Sequence, residues 1–275
     1  QTATSYIKAL GKNKLADHIE IFSYHFYGPV PEEFIGARVE NLRANLIPSD
    51  PAKKIHFWQG ESGRASGKSG LFSFPTELAQ AKYLVRRNLT DLACGAELSS
   101  IFTVTDFLCY YPDGRDQYYG VIDAKNNCGK LAYYAMQAMG FLLDGLENAP
   151  DNFCAFRPGN WQAFEPRMPY RIEAHAFRRG GKAVFAFWTP EHVELSATTV
   201  RGSIYMLMEE SEKLEHPVVL DPIRRNVWLL PKELLETTSD AGDFHGTLRI
   251  RNFPVTDYPL LLADLSIFDE IKSEK

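Results

Sequence analysis

The 275-residue sequence has no apolar run of about 18 residues, the length a membrane-crossing helix requires. It has no long cluster of lysine and arginine either. Thirty basic side chains against 35 acidic ones leave a net charge of -5, so the basic footprint that a phosphate backbone needs is missing and a neutral ligand is easier to accommodate. Cysteine is scarce. Cys94, Cys109, Cys128 and Cys154 are too widely spaced for a Cys-x-x-Cys metal site and too few for a disulfide framework, so buried free thiols are expected in preference to one functional pair. The segment from Gly63 to Gly70, with Arg64 and Lys68, lacks the Gly-x-x-x-x-Gly-Lys-Ser/Thr spacing of a phosphate loop, and Asp113-Gly114-Arg115-Asp116 holds too few carboxylates for a calcium loop. No metal, cofactor, nucleic acid or membrane is therefore expected. The chain opens on Gln1 without the basic, apolar and small-residue pattern of a signal peptide, and a larger segment is expected to precede it.

What is present is an ordinary globular composition, 45% hydrophobic and 24% charged, at a length that allows two domains. From residue 1 to about 149 helical and strand patterns alternate, the order of parallel βα units. Helices are predicted from Thr4 to Leu15, after Pro31 through Leu46, from about Pro75 to Cys94, and from Lys130 to Leu146. Strands are predicted from Ile19 to Tyr27, from Ile55 to Gln59 and from Ser100 to Asp106. The third helix is expected to lay one apolar face on the sheet through Leu78, Ala81, Leu84, Val85, Leu89 and Leu92. Asn88-Leu89-Thr90 within it matches a glycosylation sequon of little weight. From 150 to 275 strand-like runs recur with turns and few long helices, as at Tyr170 to Arg178, Ala183 to Trp188, Val200 to Met208, Asn226 to Leu230 and Thr247 to Ile250, which reads as an antiparallel β domain. Three parallel strands are too few to close a barrel, and open sheet edges are a liability that another segment, or self-association, would relieve.

Three strand ends carry the residue types that chemistry uses. His25 and Tyr27 are two apart and share a side if the strand continues through them. Glu61 follows the second strand between Gly60 and Gly63, with the flat apolar face of Trp58 just before it. Asp106 ends the third strand, open either to bind a ligand hydroxyl or to cap the loop that follows. Beyond it Tyr110, Tyr111, Tyr118 and Tyr119 offer either a stacking platform or packing against the second region.

The order of these motifs resembles a family. Ser23-Tyr24-His25-Phe26-Tyr27-Gly28 looks like the sixth barrel strand of clan A glycoside hydrolases, particularly relatives of family 39. Trp58-Gln59-Gly60-Glu61-Ser62-Gly63 is similar to the seventh strand, and Phe102-Thr103-Val104-Thr105-Asp106 to the eighth. Tyr119-Gly120-Val121-Ile122-Asp123 with Lys130-Leu131-Ala132-Tyr133-Tyr134 looks like the approach to the last barrel helix. Phe253-Pro254-Val255-Thr256-Asp257-Tyr258-Pro259 resembles the β-sandwich appended to such enzymes. The resemblance implies an α/β plus all-β protein, a partial (β/α)8 TIM barrel containing strands six to eight over residues 1–149, then a C-terminal antiparallel β-sandwich over 150–275. It implies a retaining glycosidase with Glu61 as nucleophile and with His25, Tyr27, Trp58, Asp106 and Tyr110 on the substrate. The acid/base glutamate would lie on a missing N-terminal half-barrel. The expected partner is an oligo- or polysaccharide of β-linked sugars such as xylan or glucan, in an extracellular or periplasmic setting. The alternative class is a carbohydrate-binding piece without turnover.

Overall fold

The computed structural model describes residues 2–67, 73–74, 76–158, 171–190, 199–238 and 247–272. The first part runs α1 (Thr2–Lys12), β1 (Ile21–Tyr24), α2 (Ile35–Asn45), β2 (His56–Ser62), the two-residue strands β3 (Ala65–Ser66) and β4 (Ser73–Phe74), α3 (Glu77–Ala93), β5 (Leu98–Ile101), a short hairpin β6 (Ile122–Asp123) and β7 (Cys128–Gly129), and α4 (Leu131–Leu143). β1, β2 and β5 form one parallel sheet in that order. Its helix-covered face buries Tyr24 and Phe57 against Ile35, Val39, Leu42 and Leu46 of α2 and the loop after it. The opposite face leaves Ile21 and Leu98 40% and 39% exposed. Parallel sheets are ordinarily covered on both faces, and no closed barrel is present among the described residues.

The second part is β8 (Glu147–Asn148), β9 (Phe153–Pro158), β10 (Glu173–Arg179), β11 (Lys182–Trp188), β12 (Thr199–Leu207), β13 (Pro217–Asp221), β14 (Asn226–Leu229), β15 (Leu235–Thr237), β16 (Leu248–Thr256) and β17 (Leu260–Asp264). These make two antiparallel sheets, ordered β14-β13-β17-β11-β10-β8 and β15-β16-β12-β9. Period-two alternation puts Phe185, Phe187, Ile204, Phe253 and Val255 on the faces the two sheets share, while Phe177, opposite Val184 on β11, is buried on the other face of its sheet, and all belong to one continuous core. That core continues into Tyr83, Leu84 and Leu89 of α3 and Met139 and Leu142 of α4. Hydrophobic packing thus crosses the division expected near residue 149.

Several expectations need correction. The first strand stops at Tyr24 and the third at Ile101, several residues short, because parallel pairing ends there. His25, Tyr27 and Asp106 consequently lie on connecting segments. α3 does not lay one face on the sheet: every residue from Ala79 to Asp91 is buried, Gln80, Lys82, Arg86 and Arg87 included. Burial of that polar side is tolerated because its charges meet partners, as in Lys82 Nζ to Asp257 Oδ2 at 2.7 Å and Arg87 Nε to Asp91 Oδ2 at 2.9 Å. The sequon Asn88 is 7% exposed and donates its amide to the Leu84 carbonyl. All four cysteines are free as expected, yet Cys109 and Cys128 are exposed, since both sit in the surface loop and hairpin before α4. Trp228, in the predicted run from Asn226 to Leu230, stands 39% exposed on the edge strand β14. Lys68 and Tyr170 lie outside the described residues.

Candidate functional site

β2 is the origin of the site. Its pairing with β5 runs Trp58 to Leu98, Gln59 to Ser99, and then Ser62 to Ile101, so three steps on β2 face two steps on β5. The extra residue is a β-bulge at Gly60-Glu61, and bulges re-aim side chains. Phe57 and Gln59 are buried on the helix side; after the bulge Ser62 takes the buried position and Glu61 is left half-buried instead of following Gln59 inward.

Two glycines make room for this. A Cβ on Gly60 would stand 2.2 Å from Ser23 Oγ and 3.0 Å from His25 Nε2, so the side chains of Ser23 in β1 and of His25 just after it occupy the space above the bulge. A Cβ on Gly63 would stand 2.0 Å from the Phe102 carbonyl oxygen, and Phe102 donates its amide to the Ser62 carbonyl at 2.7 Å. Close approach, by side chains at Gly60 and by backbone at Gly63, explains glycine at both positions.

Glu61 is met from the segment after β1. The Tyr27 hydroxyl donates to Glu61 Oε1 at 2.6 Å, and His25 Nδ1 lies 3.7 Å from Oε2. Burial first, then the hydrogen bond and charge of Glu61, push the Tyr27 phenol far above the ordinary tyrosine range, so it remains a protonated donor. Burial likewise raises Tyr119, with Arg64 opposing and Glu61 adding to the effect. Tyr119 and Tyr83 therefore belong to the electrostatic surroundings of Tyr27 and Glu61. Arg64 is 2% exposed, with its guanidinium 5.3 Å from the Tyr83 ring centroid. The sequence singled out neither Tyr83 nor Arg64 for this place; Tyr83 sits in a helix read for its aliphatic stripe.

The remaining candidates spread out around this pair. Trp58 is half-buried on the open face of the sheet, in register with Ser23. Tyr110 is 54% exposed and packs against Phe107 and Tyr111, with ring centroids 5.5 and 5.2 Å away. Phe107 in turn touches Phe102, which meets Tyr119 edge-on, so an aromatic string runs from the Glu61 neighbourhood out to Tyr110. Asp106 lies elsewhere in role. It is 4% exposed, accepts from the Gly120 amide at 2.9 Å and pairs with Lys130 at 2.7 Å, and Lys130 also donates to Ser66. Burial raises its carboxyl, against the pull of Lys130. Of the two roles open to Asp106, its surroundings provide the loop-holding one. A surface hollow lined by Asn88, Leu92, Leu98 and Leu143 lies at the start of β5 and does not include Glu61.

Among the described residues no group of His, Cys, Asp and Glu could hold a metal ion, and no helix is long and apolar enough to cross a membrane. No family model matches the sequence, and no curated protein matches it. Among solved structures the chain is similar to a GH30 endoxylanase from Clostridium papyrosolvens C71, at 10% identity and a TM-score of 0.44. That similarity covers 90% of this chain and 50% of the endoxylanase chain, so this chain spans about half the length of that structure. A likeness of this degree carries no information about chemistry.

Proposed function

We propose that this chain carries the nucleophile of a retaining glycoside hydrolase acting on β-linked glycans such as xylan or glucan. The observation that supports the reading most directly is the Tyr27 hydroxyl on Glu61 at 2.6 Å, at the C-terminal end of parallel strands. Active sites of parallel barrels are built at that end. In this reading the three-stranded sheet is part of a (β/α)8 barrel and the two antiparallel sheets are its appended sandwich.

A Glu61 carboxylate oxygen attacks the anomeric carbon while the glycosidic bond breaks and the leaving oxygen keeps the electron pair. Water then cleaves the glycosyl ester and restores the carboxylate. Tyr27, as a permanent donor, fixes the direction of the carboxylate. His25, Trp58 and Tyr110 are assigned to the sugar. The acid/base carboxylate, about 5 Å from the nucleophile in a retaining enzyme, is assigned to strands that would complete the sheet along the open edges of β1 and β5.

The test is intact mass after incubation with 2-deoxy-2-fluoro glycosides bearing activated leaving groups, followed by peptide mapping. Such substrates leave without general-acid help, so the chain alone is sufficient. An adduct on Glu61, absent from Glu61→Gln, is the expected result. Failure to form one with any sugar of a gluco, xylo, galacto and manno panel, in folded protein, overturns the assignment.

A further inference from the structure

Tyr27 lies on a connecting segment with no strand pairing of its own, yet its hydroxyl must be held on Glu61. Five residues on is a second contact of that segment, and it is buried. Glu32 is 6% exposed. Its Oε1 accepts from Arg86 Nε at 2.7 Å and from Trp188 Nε1 at 2.6 Å, and its Oε2 accepts from Arg86 Nη2 at 2.6 Å. Arg86 and Trp188 are fully buried. Arg86 belongs to α3, the helix that follows the Glu61 strand, and Trp188 ends β11 in the antiparallel region. The Trp188 indole is itself held by stacking on His175 of β10, with ring centroids 5.0 Å apart.

The residues between the two contacts are Gly28, Pro29, Val30 and Pro31. Two prolines in four positions fix φ and remove much of the slack. A displacement of Glu32 is therefore passed in part to Tyr27, with Gly28 the one free joint of the link. A bidentate Arg-carboxylate pair is the geometry suited to holding a segment in one place, because its two parallel hydrogen bonds constrain direction as well as distance.

We propose that Glu32 is a positioning residue for the Tyr27–Glu61 pair, and that Trp188 makes the antiparallel region a buttress of the site through it. The catalytic meaning of this rests on the reading of Glu61 as nucleophile. The positioning itself does not, and the experiment separates the two.

Tyr27 is replaced by 3-fluorotyrosine and its ¹⁹F resonance recorded in the full chain, in Glu61→Ala as the reference for a lost acceptor, and in Glu32→Gln and Trp188→Phe. A second label at the exposed Tyr6 serves as control. The expected result is a shift of the position 27 resonance in both variants, with position 6 unmoved. Labelling of Glu61 by the activated fluoro glycoside is expected to slow by roughly 10- to 100-fold, the effect of a misplacement near 1 Å. Glu32→Gln leaves Arg86 without its carboxylate and can fail to fold; Trp188→Phe, which keeps an aromatic ring and loses the indole N–H with part of the bulk, then decides alone. An unchanged position 27 resonance in a folded variant overturns the proposal. If the parent chain takes no adduct, the nucleophile assignment falls, and the fluorine shift still decides whether Glu32 places Tyr27.

Discussion

Glu61 leaves the side-to-side alternation of its strand at a bulge and there receives the Tyr27 hydroxyl at 2.6 Å, across 34 positions of sequence. Without the bulge the carboxylate would continue the inward series of Phe57 and Gln59 and be buried beneath the helices. The partner that meets it comes from a segment pinned by Glu32, so the pair depends on one local irregularity and one long-range anchor.

Removing the donor is the most direct perturbation. Tyr27→Phe keeps the ring and deletes the hydroxyl, and a hydrogen bond to a charged group contributes about 1.5–3 kcal/mol. Formation of the Glu61 adduct is expected to slow by roughly 10- to 100-fold, with the circular dichroism spectrum unchanged. Equal labelling rates for the two proteins would remove Tyr27 from the chemistry.

The two kinds of glycine should respond oppositely to alanine. Gly63→Ala drives a Cβ to 2.0 Å from a backbone carbonyl that has no rotamer to escape into, and is expected to cost about 1–3 kcal/mol or more. Gly140 is an exposed residue inside α4, where an added Cβ meets nothing within 4 Å. Gly140→Ala is expected to stabilise the chain by about 0.5–1 kcal/mol through helix propensity and a less flexible unfolded state. Urea unfolding of the two variants measures both signs.

The Lys82–Asp257 pair joins α3 to the end of β16 with both side chains almost wholly buried. Asp257→Asn leaves a buried ammonium without its counter-charge and is expected to lose about 3–5 kcal/mol, whereas Lys82→Met combined with Asp257→Leu recovers most of it. A single variant within about 1 kcal/mol of the parent in guanidinium unfolding would show that the pair is not what holds this junction.

Low pH should loosen the loop before the β6–β7 hairpin. Lys125 first, then the Cys109 amide and the Tyr118 hydroxyl, bring the Asp116 carboxyl from 3.8 down to about 2. A depressed carboxylate contributes stability that is present above its unfolded pKa and disappears as pH falls through its folded one. The stability difference between parent and Asp116→Asn is therefore expected to be constant above about pH 5 and to close between roughly pH 4 and 2. A difference that persists unchanged at pH 2 would contradict the assignment.

Much of this layout was legible from residue order alone. Ile55 to Gln59 is a short β-rich run, Gly60 and Gly63 bracket a carboxylate at its end, and the aliphatic spacing within 77–93 has the helical period. Other features were out of reach for particular reasons. The bulge at Gly60-Glu61 is a property of the pairing with β5, and Gly60 within β2 hints at it without fixing it. Asp106 reads equally well as ligand or cap until Lys130 and Gly120 are found against it. Arg86 reads as a solvated helix charge until Glu32, 54 positions away, is placed beside it.

Local preference and hydrophobic period act over a few residues, and they were enough to locate the four helices, the three parallel strands and the strand end that carries Glu61, but not β9, β13 or β17. Tertiary structure alone decided which way Glu61 turns, which hydroxyl meets it, and that the charged side of α3 lies inside. Those outcomes depend on burial and on charge pairs between segments far apart in sequence: Trp188 and Glu32, hydrogen-bonded at 2.6 Å, are 156 positions apart, and no window along the chain contains both.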